Sequence, residues 1–132
     1  MSFLIDTNIC SAFAKGNRDV FTRFQQYYGR LYIATISIGE LTTWVIRSQL
    51  AEPTRVALER FLQDVPCLNF DYQTAVKYGE LRASQLERGV PMPVADLLIA
   101  STALIHDLTL VTHNVKDFVN VEGLRIEDWL AT

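Results

Sequence analysis

Four short runs rich in β-branched, aliphatic or aromatic residues punctuate this chain, and the segments between them carry apolar residues at helical spacing. The runs are "FLI" at 3–5, "RLYIATIS" at 30–37, "VPCLNF" at 65–70 and "LTLVT" at 108–112. Strands that alternate with helices imply parallel pairing, with helices on both faces of the sheet. In an open sheet of that kind, binding and catalytic sites form just beyond the carboxyl ends of the strands.

The helical segments have recognisable starts and stops. Ile9, Ala12 and Phe13 predict a helix over 7–15, ended by "KGN" at 15–17. Val20, Phe21 and Phe24 place a second helix over 18–28. Ser37 and Glu40 have the spacing of a capping box, opening a helix that runs past Trp44 to about residue 50. Pro53 can start another, carried by Val56, Leu58, Phe61 and Leu62. Asp71 can cap a long helix to about Arg88, with Gly89 ending it. An apolar helix covers 94–106, a helical turn covers 114–118, and "LRIEDW" at 124–129 reads as a short edge strand. No repeat, linker or low-complexity segment interrupts this order, so residues 1–132 read as one domain.

Composition narrows the functional classes. Apolar residues make up 49% of the chain, enough to build a core without staples. No run of about 18 apolar residues is present to span a membrane, and no basic region leads into a long apolar one as in a signal peptide. Cys10 and Cys67 are isolated in sequence and read as reduced thiols of a cytoplasmic protein. A net charge of −3 argues against a general nucleic-acid coat protein. It leaves room for an acidic metal site that acts on nucleic acid, because the metal brings its own positive charge.

Polar residues cluster where the strands end. Asp6 follows the first strand and Glu40 the second. Asn114 follows the last, with Asp117 three residues on. Asp96 follows no strand; it stands in the first turn of the apolar helix, and spacing alone does not decide whether it joins the others. Each has a local explanation. Asp6 could be a helix N-cap, Glu40 half of the capping box, Asp96 a partner of the helix dipole, and Asn114 with Asp117 a cap and its mate. Those explanations supply no reason for acids to gather at one edge. Converging carboxylates raise one another's pKa unless a positive charge joins them. Hard oxygen ligands suit Mg²⁺ or Mn²⁺, completed by water and substrate phosphate.

Other chemistries fit less well. The two histidines, His106 and His113, come without a G-x-S-x-G elbow, and no glycine-rich phosphate loop is present. Tyr27, Tyr28, Tyr32, Trp44 and Trp129 do not alternate with basic residues, so they read as core or interface rather than a base-stacking platform.

Five segments together carry a family resemblance: "LIDTNI" (4–9), "SIGEL" (37–41), "PVADLLIASTAL" (93–104), "LVTHNVKDF" (110–118) and "VEGLRIEDW" (121–129). In this order and spacing the chain resembles the PIN-domain ribonucleases, most closely the VapC toxins of bacterial toxin–antitoxin pairs, over 3–129. The resemblance implies an α/β, PIN-like three-layer sandwich, with a central parallel sheet of four or five strands flanked by helices. It implies Mg²⁺-dependent (or Mn²⁺-dependent) endoribonucleolysis, commonly of tRNA or a ribosomal RNA loop. It also implies a VapB-type antitoxin that blocks the site, and a homodimer. Carried over by motif, Asp6, Glu40 and Asp96 match the three family acids and so the metal ligands. Thr7 and Asn8 match the polar pair after the first acid, and Thr112 the Ser/Thr after the last strand. Asn114 stands where many PIN domains have Asp; it offers an oxygen without a charge, which implies one tight metal and a weaker, substrate-assisted second. Asp117 either compensates or caps its turn.

The expected reaction is in-line attack by water on a phosphodiester, leaving 5′-phosphate and 3′-hydroxyl ends. Glu40 or Asp96 is the candidate to take the water's proton. Lys15, Arg82 and Arg88 are candidates for contacts with the RNA backbone, a solvated role being the alternative. Phe21, Tyr27, Tyr28, Trp44, Val45 and Leu50 could form docking surface or simply core. Two other classes compete: a PIN-like module that binds RNA or protein without cutting, and a receiver-like domain with Asp6 as phosphoryl acceptor. The nuclease reading requires Asp6 and Asp96 to share one site.

Overall fold

In the computed structural model, which describes residues 1–130, the first strand, β1 (Phe3–Ile5), lies at the centre of the sheet. β2 (Leu31–Ala34) pairs with it on one side and β3 (Cys67–Leu68) lies beyond β2. β4 (Thr109–Val111) pairs with it on the other side, and β5 (Ile126–Glu127) completes that edge. All pairings are parallel and the order is β3-β2-β1-β4-β5. The chain therefore leaves β1 towards one edge and returns to its other side. That reversal opens a crevice at the carboxyl ends of β1 and β4, the usual place for a site in such a sheet.

Strand periodicity decides which helices cover which face. Phe3 and Ile5 point one way and Leu4 the other, and all three are fully buried. Phe3 and Ile5 pack with α1 (Thr7–Ala14), α2 (Arg18–Gln26), α3 (Thr35–Arg47) and α4 (Glu52–Asp64) through Ile9, Val20, Phe24, Leu41, Leu58 and Phe61. Leu4 packs with Ile99, Ala100 and Ala103 of α6 (Val94–Ile105), against which α5 (Tyr72–Arg88) lies. The first face is aromatic. Phe24 stacks on Phe13 at 4.5 Å and on Phe61 at 5.0 Å, and Trp129 meets Phe3 edge-on at 5.1 Å. Such pairs add to the burial of their rings. The second face is mostly small and aliphatic, with Phe118 its one fully buried ring.

The expected fold class and element order are as found, with local differences. The second strand stops at Ala34, and α3 begins at once at Thr35. The capping box therefore does not form. Ala34 is the N-cap, no side chain caps that end, and Ser37 is buried inside the helix with its hydroxyl unpaired. Ala34 passes directly from extended to helical backbone, so the N-cap lies at Ala34 instead of Ser37, three residues earlier. The third strand is only two residues long, where six were expected. Other termini follow their signals. The Asp71 carboxylate accepts from the Thr74 N–H at 2.9 Å, and Gly89 ends α5 at φ +71°, a conformation only glycine adopts freely. Tyr27 and Trp129 join the aromatic core, whereas Phe21 and Tyr28 face solvent. Among the described residues no helix is long and apolar enough to cross a membrane.

Phe24 links α1, α4 and Trp129, so Phe24→Ala should destabilise the fold by roughly 3–5 kcal/mol, a large part of a small domain's stability. Urea denaturation should show it as a lower midpoint at unchanged slope.

Candidate active site

The N-terminal half of the crevice is organised around Asp6. β1 ends one residue earlier, and the Asp6 N–H still belongs to the sheet, donating to the Val111 carbonyl of β4 at 2.9 Å. The side chain, 5% exposed, is held at both oxygens. Oδ1 accepts from the Thr7 N–H at 2.8 Å and Oδ2 from the Thr112 hydroxyl, also at 2.8 Å. Asp6 is thus the N-cap of α1, as its local reading predicts. Capping accounts for Oδ1 alone; Oδ2 is committed to the neighbouring strand end.

Glu40 enters from α3. Its Oε1 accepts from the Thr7 hydroxyl at 2.7 Å, joining residues 33 apart in sequence. With the capping box absent, this contact is what orients the carboxylate. Asn8 ties down the far wall: its Oδ1 accepts from the His113 N–H at 3.2 Å. Thr112 works twice, since its hydroxyl oxygen also accepts from the Asn114 N–H at 3.1 Å. Asn114 precedes a single 3₁₀ turn, Val115–Asp117, and no side-chain hydrogen bond caps that turn. The expected cap role of Asn114 and Asp117 therefore does not hold, and both side chains are exposed.

Asp96 is brought in by the start of α6 at Val94, which puts it in the first turn beside the other acids. Burial first, then the charges of Asp6, Asp117 and Glu40, push its carboxyl up to about 6. Burial also raises Asp6; the hydrogen bonds from Thr112 and Thr7 oppose this, and Glu40 adds to it. Asp6, Glu40, Asp96 and Asp117 therefore share one electrostatic neighbourhood, and no cation is among the influences on Asp6 or Asp96. Asp96 lies close enough to Asp6 to feel its charge, although no hydrogen bond joins the two.

Such a set suits a divalent ion, whose charge would remove the mutual repulsion. Among the described residues no three of His, Cys, Asp and Glu already close on one ion. An ion bound through one or two carboxylates with water in its remaining positions, as Mg²⁺ prefers, needs no such closure.

Comparison with known proteins identifies the family. The PIN domain family model matches residues 3–124. The chain belongs to the PIN-domain family, in its VapC branch. It is 33% identical to the tRNA(fMet)-specific endonuclease VapC of Shigella flexneri, over 98% of each chain. It is 31% identical to the ribonuclease VapC2 of Rickettsia felis over the same share. The DNA-bound VapBC structure from Salmonella typhimurium superposes with a TM-score of 0.89 at 32% identity, covering 98% of both chains. The VapBC2 structure from Rickettsia felis, bound to a promoter DNA fragment, gives 0.88 at 30% identity, covering 98% of this chain and 99% of that one. Family membership makes this VapC-type chain a ribonuclease toxin by class.

One polar residue at the border of this VapC site escapes a reading of the sequence. Asp128, just past β5, lies 3.0 Å through Oδ2 from His113 Nδ1, while its Oδ1 accepts from the Leu130 N–H at 2.9 Å. Only the pairing of β5 with β4 brings the two together. Two of the candidate RNA contacts are already engaged: Arg82 donates to the Met92 carbonyl and Arg88 to that of Asn120.

The raised Asp96 carboxyl sets a stability profile. Its folded pKa, about 6, lies above the unfolded value of 3.8. Protonated Asp96 carries no penalty below the unfolded value, and the penalty of ionising it in the fold is complete once pH exceeds the folded one. In EDTA the melting temperature of wild type should therefore fall, relative to Asp96→Asn, between about pH 4 and about pH 7.5. Millimolar Mg²⁺ at the upper pH should raise wild type and leave the variant nearly unmoved. Differential scanning fluorimetry measures both.

Proposed function

We propose that this chain is a Mg²⁺-dependent endoribonuclease that cuts tRNA in the cytoplasm and is held inactive by a cognate VapB-type antitoxin. The observation that supports the reading is that Asp6, Asp117 and Glu40 all act on the charge of Asp96, with Asp6 and Glu40 held by Thr112 and Thr7. The tRNA assignment is supported by the name of the Shigella relative, and the antitoxin by the VapBC complexes among the similar structures. A homodimer belongs to the same proposal.

Asp6, Glu40 and Asp96 would hold Mg²⁺ (Mn²⁺ could substitute), directly or through water. Asn114 and Asp117 stand at the rim to support a weaker second ion. Bound there, the ion supplies charge neutralisation at the scissile phosphate and acidifies a nearby water. The chain's own residues do the rest. The Thr7 N–H and the Thr112 hydroxyl prevent Asp6 from turning away, which keeps its carboxylate in register. Glu40 or Asp96 is the carboxylate placed to take the water's proton. A water oxygen bonds to phosphorus in line with the departing 3′-oxygen, the P–O3′ bond breaks, and the 3′-oxygen leaves protonated. The products are a 5′-phosphate and a 3′-hydroxyl.

Incubation with a tRNA pool should give discrete cuts with Mg²⁺ and none with EDTA. Asp6→Asn should lose more than about a hundredfold in rate, beyond the usual loss for a supporting residue. Thr112→Val should lose roughly 10- to 100-fold, by unpairing a buried carboxylate oxygen while leaving the ligands in place. End-mapping that finds 2′,3′-cyclic phosphates would refute attack by water.

A further inference from the structure

The acids occupy one end of a longer strip. Thr7 and Ser11 of α1 and Lys15, its C-cap, recur at intervals of four and so share a side of the helix; on α3, Glu40 and Trp44 do the same. The two helices meet at both ends of this strip. Thr7 bonds Glu40 at 2.7 Å beside the acids, and Lys15 Nζ lies 5.4 Å from the centre of the Trp44 ring two turns away. That second distance is within cation–π range. Eight residues at helical rise set Lys15 about 12 Å from Thr7.

A groove of about 460 Å³ follows the same helix, lined by Asn8, Ser11, Lys15, Asn17 and Leu130. It starts at Asn8, which braces the site wall through His113, and ends at Lys15. The crevice repels a polyanion unless an ion is bound, whereas the far end of the groove presents a positive charge. Trp44, half-buried on the core, limits where that ammonium can go, so less entropy is lost when it meets an anion. A lysine at a helix C-terminus also gains from the helix dipole, which accounts for its place without any ligand. Salt dependence separates the two, because only contact with a phosphate releases counterions from RNA.

We propose that Lys15 binds a non-scissile phosphate of a single-stranded RNA segment lying along α1, and that Trp44 is its positioning residue. This rests on the ribonuclease reading. It also revises what the sequence says of Trp44. No basic residue alternates with it along the chain, yet one is set against its ring by the fold.

Cleavage of a labelled single-stranded RNA is followed against salt for wild type, Lys15→Gln, Lys15→Arg and Trp44→Leu. Lys15→Gln should raise KM several-fold, leave kcat in place, and make the slope of log kcat/KM against log salt shallower by about 0.7. Lys15→Arg should restore the slope. Trp44→Leu should raise KM while keeping it. An unchanged slope in Lys15→Gln overturns the inference, whether kcat and melting temperature fall with it or the only loss is in antitoxin affinity. If wild type cuts no RNA, the ribonuclease reading fails by itself. The phosphate contact is then judged by fluorescence anisotropy of the same RNA on Asp6→Asn, with and without Lys15→Gln. An equal salt slope for those two proteins overturns it.

Discussion

A carboxylate buried at the end of a central strand is the constraint from which the remainder of this molecule follows. Asp6 is held at one oxygen by the first turn of its own helix and at the other by the end of the neighbouring strand. Burial without those donors would neutralise it or expel it. Thr7 and Thr112 keep it available as an anion, and each has a second contact that fixes another part of the site. Removing the Thr112 hydroxyl would alter two positions of the crevice at once, whereas removing that of Thr7 would free Glu40 and leave the backbone bond to Asp6.

The sheet makes this possible at low cost. Because β1 is central and both neighbours run parallel to it, their carboxyl ends open on the same side. Helices then start there. Their N-terminal dipoles favour negative charge, so Asp6 and Asp96 occupy positions that suit them even before an ion binds. What remains unfavourable is the proximity of four carboxylates, visible in the raised Asp96. A protein without this function would gain stability by losing one of them, the common exchange of stability for activity.

The aromatic face opposite α6 serves the site indirectly. Phe24, Phe61 and Trp129 fix α1 and α4 against β1, and Trp129 anchors the segment that carries Asp128 towards His113. Rigid packing under the first turn of α1 holds Thr7 and Asn8 where their contacts can form.

Sequence alone determined the alternation of strands and helices, the parallel sheet, the positions of Asp6 and Asn114 after strand ends, and the start of α5 at Asp71 and its stop at Gly89. These are local, written in periodicity and in residues with strong backbone or capping preferences. It misplaced the start of α3, because S-x-x-E has the same spacing inside a helix as at its tip. Only the tertiary structure decided that Asp96 lies within reach of the charge on Asp6, that Glu40 is oriented by Thr7 rather than by Ser37, that Asp128 reaches His113, and that Lys15 lies on Trp44. Each of those joins residues from different elements, and their distance depends on how whole helices and strands pack, which no spacing along the chain records.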